Sequence, residues 1–147
     1  NSISYMKTYI QKNPISLVFG VEEQFTISFD EFDITGKIDW IEFDPKVRGL
    51  NIIDNKSGKN LIPNLKEDIQ LNIYKLAIEK TYPHMLLNQV GLYYLALNKK
   101  VMLDSKVLET AKVVDILYKE HNKIIQGHFP KIKTNLCRFC EVQHACQ

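Results

Sequence analysis

The 147-residue chain has no cysteine before residue 137, no long apolar run and almost no net charge. A membrane helix needs roughly 18 or more consecutive apolar residues, and none are present; no stretch resembles a signal peptide either. The expectation is therefore a cytoplasmic protein without membrane contact. Nineteen basic residues against seventeen acidic ones leave a net charge of +2, too little to announce a polyanionic partner. Charge does not exclude one, because such an enzyme can gather its cations around a cleft whose centre is acidic. Glycine and proline are few, at six and five, and neither repeats nor low-complexity stretches occur. With 45% hydrophobic and 24% charged residues, this is the composition of an ordinary globular domain large enough for a sizeable core. The chain begins at Asn1, and Tyr5, Met6, Tyr9 and Ile10 recur at helical spacing before Asn13-Pro14 stops them. Residues 1–147 are accordingly read as one domain, a fragment of a longer chain.

Further along, hydrophobic periodicity sets the order of elements. Phe25, Ile27 and Phe29 alternate within a strand over 22–30, and a turn at Asp30-Glu31 leads to a second strand over 32–43. On that second strand Phe32, Ile34, Ile38 and Trp40 are expected on one face, with Gly36 leaving a gap. After the turn from Asp44-Pro45 to Gly49, a third strand runs from Leu50 to Lys56, so the front half reads as an antiparallel meander. A loop follows, then a helix over 66–81. Val90 to Leu97 is a continuous apolar run, the pattern of a strand buried on both faces, and a short strand is expected at 100–103. Residues 105–126 form a long amphipathic helix with Leu108, Ala111, Val114, Leu117, Ile124 and Ile125 inward, ended by Gly127. The segment 129–147 is a Cys-bearing tail. The class is α/β, a small mixed sheet flanked by helices.

Three groups of residues invite chemistry. Asp54 and Lys56, two apart on the third strand, project to one side of it. Asp39 lies one hairpin away, on the face opposite Ile38 and Trp40, so two carboxylates and an ammonium can converge. Hard cations such as Mg²⁺ take one or two carboxylates with water and substrate phosphate. A lysine beside them can orient a water or stabilise a phosphate. An Asp and a Lys so spaced are also often only a surface ion pair. Gln70 and Tyr74, four apart, share a face of the following helix and can reach the lysine, a water or a phosphate; at that spacing they are commonly plain helix surface. The third group is Cys137, Cys140 and Cys146, a soft cluster suited to zinc or an iron–sulfur centre rather than a cytosolic disulfide. Three thiols are one short of the usual four, and either His144 or a ligand outside the chain would complete the set.

In order along the chain, these segments resemble the RecB-like branch of the PD-(D/E)XK nuclease superfamily. The resemblance starts at Val21-Glu22-Glu23-Gln24-Phe25, which is similar to the acidic strand of that family. Gly36-Lys37-Ile38-Asp39 resembles its GxxD segment, and Ile52-Ile53-Asp54-Asn55-Lys56-Ser57-Gly58-Lys59 its "IxDYKTG" strand. Gln70 with Tyr74 matches the QxxxY helix, and Phe129-Pro130 with the three cysteines looks like its iron–sulfur staple. The resemblance implies a restriction-endonuclease-like core in which Asp39 and Asp54 bind Mg²⁺ or Mn²⁺ and Lys56 is the catalytic lysine. It implies hydrolysis of DNA phosphodiester bonds, usually as an exonuclease acting on single strands or free ends, in repair, recombination or CRISPR-type processing. It also implies a 4Fe–4S cluster on Cys137, Cys140 and Cys146, zinc being the lesser alternative, and a helicase domain or subunit as partner. DNA binding without sequence preference is expected, through phosphate contacts and stacking.

The pattern has departures. Asn55 and Ser57 stand where Tyr and Thr are common, and neither would bind metal. Many members carry a metal-binding His on an early helix and a fourth Cys upstream, yet all four His here (His84, His121, His128 and His144) follow the motif. Both gaps agree with a truncated N-terminus. They also leave open a non-catalytic module of nuclease fold that binds DNA or a helicase.

Overall fold

The second and third strands decide how the sheet is built. In the computed structural model, which describes residues 17–146 and side chains up to 144, β1 (Leu17–Ser28) and β2 (Asp33–Asp44) form a long antiparallel hairpin. The expected helix through Tyr5 and Ile10 lies outside the described residues. At the hairpin turn Phe29 N donates to Phe32 O at 2.9 Å, and the two rings stack with centroids 4.8 Å apart. β1 starts earlier than its alternation suggested, because Leu17 to Val21 still pair with the second half of β2, from Phe43 back to Trp40. A register shift between Val18 and Gly20 absorbs the extra length.

β3 (Gly49–Lys56) pairs antiparallel with β2 and parallel with β4 (Leu86–Tyr94), and β5 (Lys99–Asp104) closes the order β1-β2-β3-β4-β5. This is the mixed sheet expected. A parallel neighbour requires a crossover, and α1 (Ile69–Thr81) supplies it. The helix starts later than the periodicity predicts, since Leu65–Glu67 is a 3₁₀ turn and Asp68 caps α1 by accepting from Leu71 N at 2.9 Å. Leu71, Tyr74, Ala77 and Ile78 of α1 pack with Ile38, Ile41, Ile52, Val90 and Leu92 of the sheet in the main core. The run 95–97, expected as strand, is a 3₁₀ turn that reverses through Asn98 at φ 48° into β5.

One face assignment on β2 is corrected. Ile38 and Ile41, three apart, both enter the main core, whereas Trp40 packs with Ile53 and Tyr93 in a separate cluster. Strict alternation would have put Ile38 and Trp40 together, so the period of two is broken between them. Gly36 does leave a gap, and the ring of Phe25 fills it: a Cβ at Gly36 would meet Phe25 Cζ at 2.6 Å.

Residues up to Val114 form one unit and those from Asp115 a second, the boundary falling within α2 (Thr110–Ile125). The start of α2 is tied to the turn before α1 by Lys66–Glu109 and Lys112–Glu67 ion pairs, each 3.0 Å. Hydrogen bonding from Lys66 holds the Glu109 carboxyl below its ordinary range. The inward face of α2 also differs from expectation. Ser105–Val107 is a 3₁₀ turn and the α-helix begins only at Thr110, so its buried residue is Val113, while Ala111 is exposed and Ile124 and Ile125 are 58% and 72% exposed. Gly127, at φ 66°, ends the helix as anticipated, with His128 N donating to Lys123 O at 2.8 Å. In the second unit, 3₁₀ turns span Asn135–Phe139 and Gln143–Cys146.

Candidate active site

β2 and β3 run together from the Asp44–Gly49 pair to Trp40–Ile53, and their register ends there. β3 continues to Lys56 with β4 alone as its partner, through Lys56–Tyr94. The last three residues of β3 therefore stand at a fork between two strands. Asn55, beyond the last residue paired with β2, donates its backbone N–H to Asp39 Oδ2 at 2.9 Å. The fork thus places Asp39 beside the end of β3.

On the α1 side of that end, four side chains close a polar ring. Gln70 is its hub: Nε2 donates to Asp54 Oδ1 at 2.9 Å and to the Tyr74 oxygen at 2.7 Å, and Oε1 accepts from Lys56 Nζ at 2.6 Å. Tyr74 OH in turn donates to Asp54 Oδ1 at 3.1 Å. Lys56 Nζ also lies 2.7 Å from Asp54 Oδ2. That approach is an ion pair but not an aligned hydrogen bond, and Oδ2 is a buried oxygen without a hydrogen-bond partner. Asp54 is only 3% exposed, and a charge so placed is costly unless something compensates it. Lys56, with about a third of its side chain exposed, does so in part.

Tyr74 is held as a donor. Burial, then the charge of Asp54, push its phenol far above the ordinary value, with a smaller push from Asp39. It stays protonated and cannot serve as a base. Its ring is fixed by an edge-to-face contact with Phe25, centroids 6.0 Å apart. The loop after Lys56 is pinned as well, since Ile62 N donates to Tyr94 OH at 2.8 Å.

Asp39, Asp54, Lys56, Gln70 and Tyr74, all anticipated, thus come together at one end of the sheet. No group of three His, Cys, Asp or Glu residues fit to hold a metal occurs among the described residues. The donors that Asp39 and Asp54 offer to a hard cation are two carboxylates, one with a buried oxygen that faces the Lys56 ammonium and accepts no hydrogen bond. That fits an ion that keeps several waters and uses substrate oxygens.

The sequence matches the profile of the PD-(D/E)XK nuclease superfamily over residues 4–147. The chain belongs to that superfamily. No curated protein sequence matches it. PD-(D/E)XK membership points to a hydrolase acting on nucleic acids, and nucleases of this superfamily generally use divalent metals such as Mg²⁺. No described helix is long and apolar enough to cross a membrane.

The cysteines of this PD-(D/E)XK chain lie in the second unit. Cys137 and Cys140 are free thiols lining a cavity with Glu141 and His144, and the side chain of Cys146 lies outside the described residues. Cys137 Sγ accepts from Thr134 N at 3.2 Å. Tyr82 caps the C-terminus of α1. It packs edge-on against Phe19 with centroids 5.2 Å apart, and its OH donates to Glu23 at 3.3 Å. Sequence reasoning missed Tyr94 as the anchor of the loop after Lys56. Its position in an apolar run signalled only burial.

Proposed function

We propose that the protein is a Mg²⁺- or Mn²⁺-dependent deoxyribonuclease of the RecB-like branch, acting as an exonuclease on single strands or free ends. The observation that carries this reading is the buried Asp54 Oδ2, which has no aligned hydrogen bond and faces only the Lys56 ammonium, while Gln70 and Tyr74 fix Oδ1. Asp54 and Asp39 would bind the cation. Such an ion lowers the pKa of a water and offsets charge on the phosphate. Gln70 and Tyr74 orient Asp54 so that its second oxygen stays presented. Gln70 also holds the Lys56 ammonium, which can swing from Asp54 to a phosphate oxygen or to the attacking water as charge develops.

Support for the finer features comes from the order of the sequence motifs, from the acidic segment at Glu22 to the cysteine tail. On that basis Cys137, Cys140 and Cys146 would hold a 4Fe–4S cluster with a fourth ligand from outside the chain, and a helicase domain or subunit would be the partner. The N–H donated to Cys137 Sγ is of the kind that steadies a cluster thiolate.

The deciding experiment is degradation of end-labelled linear single-stranded DNA with Mg²⁺ or Mn²⁺, alongside EDTA and Lys56→Ala. Cleavage should vanish in EDTA and fall on the order of 10²–10³-fold in the variant. Undiminished cleavage by Lys56→Ala would overturn the assignment.

A further inference from the structure

Next to the ring, between the first turns of α1 and the β1–β2 hairpin, lies an open cleft of about 370 Å³. Its walls are apolar: Phe25 and Ile34 from the hairpin, Ile69 and Ile73 from α1. One end is formed by Gln70 and Tyr74, the same side chains that hold Asp54. Lys37, half exposed and paired with Glu22 at 3.0 Å, stands at the rim. We propose that this cleft is a subsite for one unpaired nucleobase of the substrate strand, beside the bond that is cut. The proposal rests on the nuclease reading above and goes beyond it by placing a base.

Continuity identifies the occupant. A cleft that shares Gln70 and Tyr74 with the phosphate-handling ring lies within one nucleotide of it, and what adjoins a scissile phosphate there is a nucleoside. The volume falls at the small end of ligand pockets, about 300–1,000 Å³, which suits a single base with its sugar and not a duplex. Apolar walls can pack on the face of any base and read no sequence. Gly36 makes the inner wall possible, because the Phe25 ring lies across it where a Cβ would approach to 2.6 Å. Ile69, in the first turn of α1, is 44% exposed and so open to a ligand in the cleft. A base still paired in a duplex would have to be extruded first, so the subsite favours single strands.

The test is an abasic scan. Single-stranded oligonucleotides carrying one tetrahydrofuran abasic residue at successive positions are compared with the intact strand, by KM for cleavage and by anisotropy with Ca²⁺ in place of Mg²⁺. The expected result is one position near the cleaved bond where loss of the base weakens binding at least about fivefold, the lower end of what one base contact is worth. That penalty should disappear in Ile69→Ala/Ile73→Ala. Ile69→Ser alone, at a surface position, should at least halve the penalty if the double variant unfolds. A strand that is cut normally with a flat scan, or a penalty unchanged in the variants, would overturn the subsite and leave the nuclease standing. Absence of both cleavage and binding would sink the nuclease reading and the subsite with it.

Discussion

Asp54 and Asp39 stand on neighbouring strands, and the fold holds them in opposite ways. Asp54 is enclosed, with one oxygen taken up by Gln70 and Tyr74 and the other facing the Lys56 ammonium. Asp39 sits where the β2–β3 ladder ends, and its carboxylate accepts one backbone N–H, from Asn55, in an exposed setting. The first carboxylate is fixed by side chains of a helix and a strand, the second by a gap in a strand ladder. An enclosed carboxylate stores its cost in the fold, whereas an open one can adjust to whatever approaches it.

The largest effect should be shared by both sides. Asp39→Ala and Asp54→Ala are each expected to lower metal-dependent cleavage about hundredfold or more, read from initial rates at saturating Mg²⁺. A variant at Asp39 with full activity would remove it from the site and break the pairing. The next effect should separate the two. Asp54→Ala leaves Gln70 and Tyr74 without their acceptor, so denaturant melts should show a loss of about 1–3 kcal/mol. Asp39→Ala frees an exposed N–H that water can satisfy, and stability should stay within about 0.5 kcal/mol. Equal losses would mean that both carboxylates are structural.

The smallest effect concerns Tyr74. Its folded-state pKa is raised, first by burial and then by Asp54, so the folded protein binds the phenolic proton more tightly than the unfolded chain does. Stability from this group is fully present below about pH 10, the unfolded value, and is lost as pH rises above it. The stability difference between the native protein and Tyr74→Phe should therefore shrink between pH 9 and pH 11. A difference that grew with pH would contradict the enclosed geometry.

How much of this was legible depended on whether position alone determines contact. Asp54 and Lys56 share a strand face through the period of two, and Gln70 and Tyr74 share a helix face through spacing of four, so both pairs could be read from the chain. The α/β class followed from the same periods. The break between Ile38 and Trp40 could not be read, because a strand leaving its neighbour is a property of three strands together. The late start of α2 was hidden for a related reason. Asp104 accepts from Lys106 N at 2.9 Å, closing a 3₁₀ turn, and helical spacing continued through it uninterrupted. In the tail, Cys137 and Cys140 gave a spacing without the packing that would say what they hold.

The bond between Ile62 N and Tyr94 OH gives the loop after Lys56 a clock. Tyr94 is 1% exposed at the end of β4, so its hydroxyl is anchored in the main core. In hydrogen exchange, an amide so bonded trades its proton only when the structure around its acceptor opens. The Ile62 amide should accordingly behave as a core proton inside a surface loop. The strand that ends at Lys56 and the loop that follows it are thereby tied to the same neighbour, since Lys56 pairs with Tyr94 and Ile62 bonds to its hydroxyl.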